Sequence, residues 1–496
     1  MNGTQLMPVT QARAGDGPPS ALPWLSGDAC GAPSGGLLVL PSGMPCFERT
    51  GLPEASGRTV NWGTRGEPRL REERVLTIPG RLTCWDGLEC SCPVCGARLR
   101  GNGSTPCLLA HTPIGDTGVR VRVERPRLRC PSEGCGYLCT CPAPFKAEGH
   151  MVTVEMLGWT EKLLALGHTL KAVARLTGLD QGTVKSIDLE RLRRLYTVAG
   201  PDGKRALAGP DRQARRLGID EFKLHDGRRF ATVVIDLDTG EALWLAHGRK
   251  KRVVRDFVEH VGPGWMAGVE AVACDMNSDY EEEFRELCPH LDIVFDRFHI
   301  VKYLNDSVVS PIRKDIQAEL REAGDEEAAR SLKGSRWLLT AKRSTIDGWE
   351  KGAAEGEVVV RGGELFGGEE VRRRAGAKAR YEGLIASNEL LLACDVVKTR
   401  MEAAYGMGDR AAMRAHVLET ASICRASGDR HLGKFAKLLE GHIDGIDSHA
   451  KHGISSGRVE GTNNLIKTLR RQGYGYPDDD YFFLKIFDAT RRERSF

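Results

Sequence analysis

Three acidic residues carry the first chemistry this sequence offers. Asp220 stands in Gly218-Ile-Asp-Glu-Phe222, and Asp275 ends the run Ala273-Cys-Asp-Met276. A carboxylate among Ile, Phe, Val and Ala is costly to bury without compensation, and a bound cation would supply it. Glu460 opens a later segment, Arg458-Val-Glu-Gly-Thr-Asn-Asn-Leu-Ile-Lys467. Three hard oxygen donors suit two Mg²⁺ (or Mn²⁺) ions about 3.5–4 Å apart, the arrangement for in-line displacement at phosphorus. One ion would activate the attacking water or 3′-hydroxyl, and the other would stabilise the leaving oxygen. Asp296-Arg-Phe-His299 adds an auxiliary acid and a histidine that would orient a phosphate or move a proton near neutral pH. Taken singly, each acid is more often a surface group or a helix cap, Glu221 sits beside Asp220, and His299 reads equally well as a structural histidine. The case rests on the set.

A second chemistry is metal binding by sulfur. Cys92-Pro-Val-Cys95 and Cys130-Pro-Ser-Glu-Gly-Cys135 are two paired-cysteine turns separated by 34 residues. Four thiolates presented by two such turns hold Zn²⁺ tetrahedrally in a closed, structural site. The competing reading is a group of unrelated buried cysteines. Cys90, Cys139 and Cys141 lie close by, and Cys139-Thr-Cys141 is an alternative arm.

The third signal is for DNA. Thr169-Leu-Lys-Ala-Val-Ala-Arg-Leu-Thr-Gly-Leu-Asp-Gln-Gly-Thr-Val-Lys185 has the order of a helix-turn-helix: a short apolar helix, a glycine turn, a second helix. Gly178 should stop the first helix and Asp180 should cap the second. Gln181, Thr183 and Lys185 lie early in the second helix, where base edges are met; Lys185, Arg191, Arg193 and Arg194 are placed for phosphates. An ordinary helix pair with a solvated charged face is the alternative. Arg458, Lys467, Arg470 and Arg471 put a basic face on the segment that carries Glu460, suited to gripping DNA.

These residues need elements to hold them. The chain has 496 residues, 41% hydrophobic and 28% charged, enough for about three domains with cores of their own. Lys plus Arg is 71 and Asp plus Glu is 67, so any basic surface is local rather than global. No apolar run reaches 18 residues, which excludes a membrane-spanning helix, and no signal peptide opens the chain. A reducing, cytoplasmic setting is expected, with nucleoid association when the protein acts, and that favours thiolate–metal bonds over disulfides.

Residues 1–80 read as a weakly ordered leader, since the first 70 contain 12 Gly and 9 Pro. Within it, Trp24 and Leu37 to Leu40 are the only candidates for a small core. Residues 81–150 form the zinc-binding module, with Val119-Arg-Val-Arg-Val-Glu124 alternating as a half-exposed strand. Residues 151–200 form the helix-turn-helix domain. Residues 211–300 give three strands in hairpin order, then helix, strand, helix, strand, which is the order of an RNase H-like mixed sheet. Turn chemistry at His225 to Arg228 joins the first two strands. In that sheet the strands of Asp220 and Asp275 are neighbours. Residues 301–450 are a mainly helical insertion, interrupted by a Gly-rich stretch from Gly352 to Gly368 with Val358 to Val360 in a hairpin. Residues 451–496 hold the final catalytic-core helix and the C-terminus, passing through Tyr474-Gly-Tyr476.

With these motifs in place, the chain resembles bacterial insertion-sequence transposases of the ISL-three group, which are DDE enzymes. The resemblance is carried by the two cysteine turns, the segment from Leu170 to Lys185 and Leu217-Gly-Ile-Asp-Glu-Phe222. It continues through Ala273 to Tyr280, Phe295-Asp-Arg-Phe-His299 with Lys302, and Gly457 to Lys467. It covers about residues 90 to 490. It implies cutting and joining of DNA ends without a covalent protein–DNA intermediate, with Asp220, Asp275 and Glu460 as the catalytic triad. Glu460 lies 185 residues after Asp275, so the helical insertion must separate them. The long leader and the Gly352 to Gly368 stretch depart from the family pattern.

The partners implied are double-stranded DNA, as terminal inverted repeats and as target, and further copies of the chain on that DNA. A non-catalytic regulator built on the zinc module and helix-turn-helix is the main alternative; a structure-specific nuclease on the same sheet is a third.

Overall fold

The computed structural model describes residues 44 and 46–492, except 62–66, 88, 202, 225–229, 277, 355–357, 362–368, 373–375, 455–456 and 474. Trp24, Leu37 to Leu40, the turn at 225–228 and Tyr474 therefore lie outside the described residues. The chain is a multidomain α/β protein that divides into two compact units: residues 1–208 with 469–496, and residues 209–468.

The first unit is built on a six-stranded sheet of β1 (Phe47–Arg49), β2 (Glu54–Asn61), β3 (Leu70–Leu82), β4 (Arg100–Ile114), β5 (Thr117–Arg129) and β6 (Leu138–Thr140). The order is β1-β3-β5-β4, with β2 on β3 and β6 on β5; β3 and β5 run parallel, the other pairs antiparallel. The alternation read in residues 119–124 is real: Val119, Val121 and Val123 are buried, and the intervening residues are not. Val121 and Val123 pack with Leu82, Leu109 and Phe145. The leader expected over residues 1–80 is too long, because ordered sheet already begins at Phe47. Counting Gly and Pro hid the strand alternation of Ile78, Gly80 and Leu82, all buried. Gly80 belongs to that pattern for a steric reason. A Cβ there would lie 2.1 Å from the Phe47 ring.

Three helices follow: α1 (Val154–Ala165), α2 (Leu170–Thr177) and α3 (Gln181–Tyr196). Their ends are set as read. Gly178 closes α2 at φ 71°, where glycine alone is free of strain, and the Asp180 carboxylate accepts from the Thr183 amide at 2.9 Å to start α3. Leu163, Leu164, Val173, Val184 and Ile187 form the common core. The C-terminal helix, Asp479–Thr490, belongs to this unit, where Tyr481 and Leu484 close over Leu192. The segment expected as one piece over 451–496 thus divides after Thr468. Two short strands, β7 (Thr197–Ala199) and β8 (Arg205–Leu207), follow α3.

The second unit holds a five-stranded mixed sheet: β9 (Arg216–Lys223), β10 (Phe230–Asp236), β11 (Ala242–His247), β12 (Ala271–Cys274) and β13 (Asp292–Phe295). Its order is β11-β10-β9-β12-β13. The first three strands are antiparallel; β12 runs parallel to β9, and β13 parallel to β12. Near-continuous apolar strands such as Ala271-Val-Ala-Cys274 fit a sheet covered on both faces. Beyond β13 the chain is mainly helical from Arg297 to His452, apart from the hairpin Val358–Arg361 and Glu369–Arg372. The last insertion helix, Ile443–His452, returns against β13, and Gly445 permits this because a Cβ would meet the Phe295 ring at 2.3 Å.

Candidate active site and metal centre

The parallel register of β9 and β12 pairs Gly218 with Ala273. Asp220 stands two residues further on in β9, and Asp275 directly follows the end of β12. Both open into one cavity of about 520 Å³, walled also by Glu221, Arg249, Tyr280 and His299.

The two acids are held differently. Asp220 Oδ1 accepts from the Glu221 amide at 2.7 Å, and Oδ2 from Asn463 Nδ2 at 2.6 Å. Burial nevertheless pushes its carboxyl above the ordinary value, and the Asp275 charge adds to that. Burial also works to raise Asp275. There, His299, the Met276 amide and Lys302 outweigh it and hold the carboxyl below its ordinary value. His299 Nδ1 lies 2.7 Å from Asp275 Oδ1, and that contact, working against burial, raises the imidazole. Two like charges close together disfavour each other's ionised form, and here one carboxyl is raised while the other is held down by its hydrogen-bonding neighbours.

The late helix, Gly457–Gln472, reaches this sheet because β9 has a glycine beneath it. A Cβ on Gly218 would lie 2.7 Å from Val459 and 2.9 Å from Leu237. With Val459 seated there, Asn463 arrives at Asp220. Its Oδ1 is buried without a hydrogen-bond partner among the described residues, an orphan acceptor beside the carboxylate. Glu460 is exposed and stands one turn before Asn463, so about 5 Å of helix rise separates it from a residue that touches Asp220. The structure thus brings Asp220 and Asp275 together and carries Glu460 to the vicinity. Among the described residues, however, the three carboxylates do not gather to within 4.8 Å of one another.

Asn463 and Arg249 were not singled out by the sequence reading. Asn463 had a signal, its i+3 spacing from Glu460. Arg249 had only its place after β11, and its guanidinium lies 3.6 Å from Glu221 and over the Phe230 ring. On the late helix, Lys467 is exposed, Arg470 is half-buried, and exposed Arg458 donates to the Asp238 carbonyl. Asp296 caps the helix Arg297–Tyr303 by accepting from the Phe298 amide.

The cysteine quartet is gathered. Among the described residues, Cys92, Cys95, Cys130 and Cys135 alone form a group whose ligand atoms lie within 4.8 Å of one another. Cys92 and Cys135 sulfurs are 3.5 Å apart, and Cys95 and Cys130 sulfurs 3.4 Å. Zinc–sulfur bonds of about 2.3 Å in a tetrahedron require sulfur separations of about 3.8 Å, so the quartet fits the ion after small outward shifts. Hydrogen bonds from the Ala97 amide, Ser132 and Cys130 pull the Cys95 thiol down to about 6, a ready first thiolate. Cys90, Cys139 and Cys141 are not part of the quartet.

The residues assigned to DNA on α3 fare unequally. Gln181 is exposed and Thr183 bonds back to Asp180 as part of the cap. Lys185 pairs with Asp478 at 3.2 Å, and Arg194 with Glu161 at 2.9 Å. Arg191 is a correction. It is buried, donating to Asp188 and to both oxygens of Asp488 at 2.9–3.0 Å, and faces the C-terminal helix rather than solvent. Lys485 and the Tyr481 hydroxyl complete the pairing of Asp188.

Comparison with known proteins shows the family. The family model of the ISL3, or ISL-three, group of DDE enzymes, described as a transposase, matches residues 217–486. The chain is 32% identical over 396 residues to the transposase for insertion sequence element IS1001 of Bordetella parapertussis, covering 80% of this chain and 87% of that one. It is 23% identical over 388 residues to the transposase for insertion sequence element IS1557 of Mycobacterium tuberculosis, covering 73% and 76%. No helix among the described residues is long and apolar enough to cross a membrane.

Proposed function

Because the chain belongs to the ISL3 family of DDE transposases, we propose that it cuts insertion-sequence ends and joins them to target DNA at the site lined by Asp220 and Asp275. The observation that carries this reading is that those two acids line one cavity, with Asn463 tying the helix of Glu460 to Asp220. In this reading the five-stranded sheet is RNase H-like, and residues 301–450 are its insertion. Asp220, Asp275 and Glu460 would hold Mg²⁺ or Mn²⁺, which when bound supplies charge neutralisation at the phosphate and a more acidic attacking water. Glu460 completes the set on a small movement of its exposed side chain.

The residues of this chain do the rest. Asn463 fixes the Asp220 carboxylate, and His299 fixes Asp275. Arg249 faces the same cavity and grips a non-bridging phosphate oxygen. In the first step, water attacks phosphorus and the 3′-oxygen leaves as the free hydroxyl. In the second, that hydroxyl attacks a target phosphodiester, forming one P–O bond and breaking one. Helices α2 and α3 act as a helix-turn-helix on the terminal repeats through Gln181 and, once released from their ion pairs, Lys185 and Arg194. The zinc quartet holds the hairpin turns before them. Arg458, Lys467 and Arg470 attract the backbone near the cut. At least two copies hold the paired ends, acting on DNA in the bacterial cytoplasm.

The test uses a duplex of the element's own end, taken from the DNA flanking the reading frame. Wild type is expected to nick it with Mg²⁺ or Mn²⁺, and Asp220→Asn, Asp275→Asn and Glu460→Gln to bind but not cut. Equal nicking by wild type and Asp275→Asn rejects the assignment. A footprint without any metal-dependent cleavage would leave the regulator.

A further inference from the structure

Phe298 immediately precedes His299, and its ring is 54% exposed. A single exposed apolar side chain means little by itself. Its surroundings give this one a use. Its backbone is fixed: Asp296 accepts from the Phe298 amide at 2.9 Å, Arg297 lies over the Tyr405 ring at 5.4 Å, and Ile300 is fully buried. The helix Arg297–Tyr303 is therefore anchored on both sides of Phe298, and the ring is held outward rather than left loose. The Phe298 ring centroid is 5.8 Å from that of His299, whose Nδ1 is 2.7 Å from Asp275. Lys302 is four residues on, which on a helix is the same face. It is exposed, and its charge acts on the Asp275 carboxyl.

Asp275 and His299 line the cavity, and the Phe298 ring and the Lys302 ammonium stand on the same short helix as His299. That is the layout that receives an unstacked nucleotide: the base on the ring, a phosphate at the ammonium, the bond to be cut at the acids. A phosphodiester lies on the outside of a regular duplex, but turning out the neighbouring base lets the backbone bend into a recessed site, and an aromatic surface offsets part of the stacking that is lost. We propose that Phe298 is the stacking platform for the DNA base next to the scissile phosphate, holding that base out of the duplex while Asp220 and Asp275 meet the backbone. Phe298 is a positioning residue, and the inference rests on the transposase reading above.

The test places 2-aminopurine at the base next to the cut, as mapped with wild type, in the element-end duplex. With the full chain and Ca²⁺ in place of Mg²⁺, wild type should raise its fluorescence several-fold. Phe298→Ala should not, while Phe298→Trp should retain base extrusion, read by permanganate reactivity of a thymine at the same position. In Mg²⁺, Phe298→Ala should cut intact ends at least about 10-fold more slowly. It should return to within about 3-fold of wild type when that nucleotide is made abasic, since no base then needs to be held. A merely structural role would not be rescued by altering the DNA. If Phe298→Ala gives the wild-type fluorescence rise, or cuts intact ends within about 2-fold of wild type, the inference fails. If Asp275→Asn also cuts like wild type, it is the transposase site that fails instead.

Discussion

Asn463 donates its side-chain amide to Asp220 at 2.6 Å, across 243 residues of sequence. This bond joins the first strand of the mixed sheet to the helix that carries Glu460, and it decides whether the third acid stands near the other two. Asn463→Ala should therefore disable cutting without unfolding the protein. A hydrogen bond to a carboxylate is worth about 1.5–3 kcal/mol, so single-turnover nicking should slow by about 10- to 150-fold. DNA-end affinity should stay within about 3-fold of wild type, as α3 belongs to the other compact unit. Unchanged nicking would show that Asp220 is held by other means.

The buried charges of the first unit should behave as a block. Arg191 and Asp488 are almost fully enclosed and satisfy each other. Asp188 still pairs with Arg191, and Arg492 with Asp488, when the other partner is removed, so each loss should fall below the about 3–5 kcal/mol of an uncompensated buried charge. Arg191→Ala and Asp488→Ala should each lower the unfolding transition of this unit and abolish specific DNA-end binding. A chain ending at residue 472 should fail in the same way, because it lacks Tyr481, Lys485 and Asp488 together. Wild-type end binding by that shortened chain, in a gel-shift titration, would contradict the requirement for the C-terminal helix.

Zinc should be found at one ion per chain by elemental analysis of protein purified without added metal. Cys92→Ser and Cys130→Ser should each reduce that to a minor fraction. A strong chelator should release the ion and, as structural zinc commonly carries folding energy, destabilise β4 to β6. Full zinc content in both variants would move the site elsewhere.

Asp292, at the start of β13, supplies a pH test remote from the acids of the cavity. Burial opposes its charge, but Lys451 at 2.6 Å and His452 at 2.8 Å overcome that and hold the carboxyl down at about 2. A carboxylate with a depressed folded-state pKa stabilises fully above its unfolded pKa of about 4, and that contribution fades as pH falls towards 2. Asp292→Asn should melt several degrees (about 5 °C) below wild type at pH 7. The gap should narrow steadily between about pH 4 and 2. A gap that persists undiminished at pH 2 would mean the pairing contributes nothing.

Local pattern made much of this legible. Gly178 and Asp180 announced the ends of α2 and α3, because a left-handed residue and a capping carboxylate act on the few residues beside them. The cysteine turns were readable for the same reason, since each pair is fixed within four or six residues. The apolar runs around Asp220 and Asp275 announced two strands, and the strand order made them neighbours. Where composition replaced pattern, the reading went astray. Gly and Pro counts suggested a leader through residue 80, although Ile78, Gly80 and Leu82 alternate as a buried row in β3.

By itself, then, the sequence determined the cysteine quartet, the ends of α2 and α3, and the two aspartates in and just after neighbouring strands. All of these depend on periodicity and short-range spacing. Only the tertiary structure decided that Arg191 is buried against Asp488, that the C-terminal helix completes the first unit, and that Asn463 rather than Glu460 touches Asp220. An arginine bound for the interior looks the same in a sequence as one bound for solvent. What distinguishes them is a partner roughly 300 residues away, and the energy of such a pairing exists only once folding has removed both charges from water.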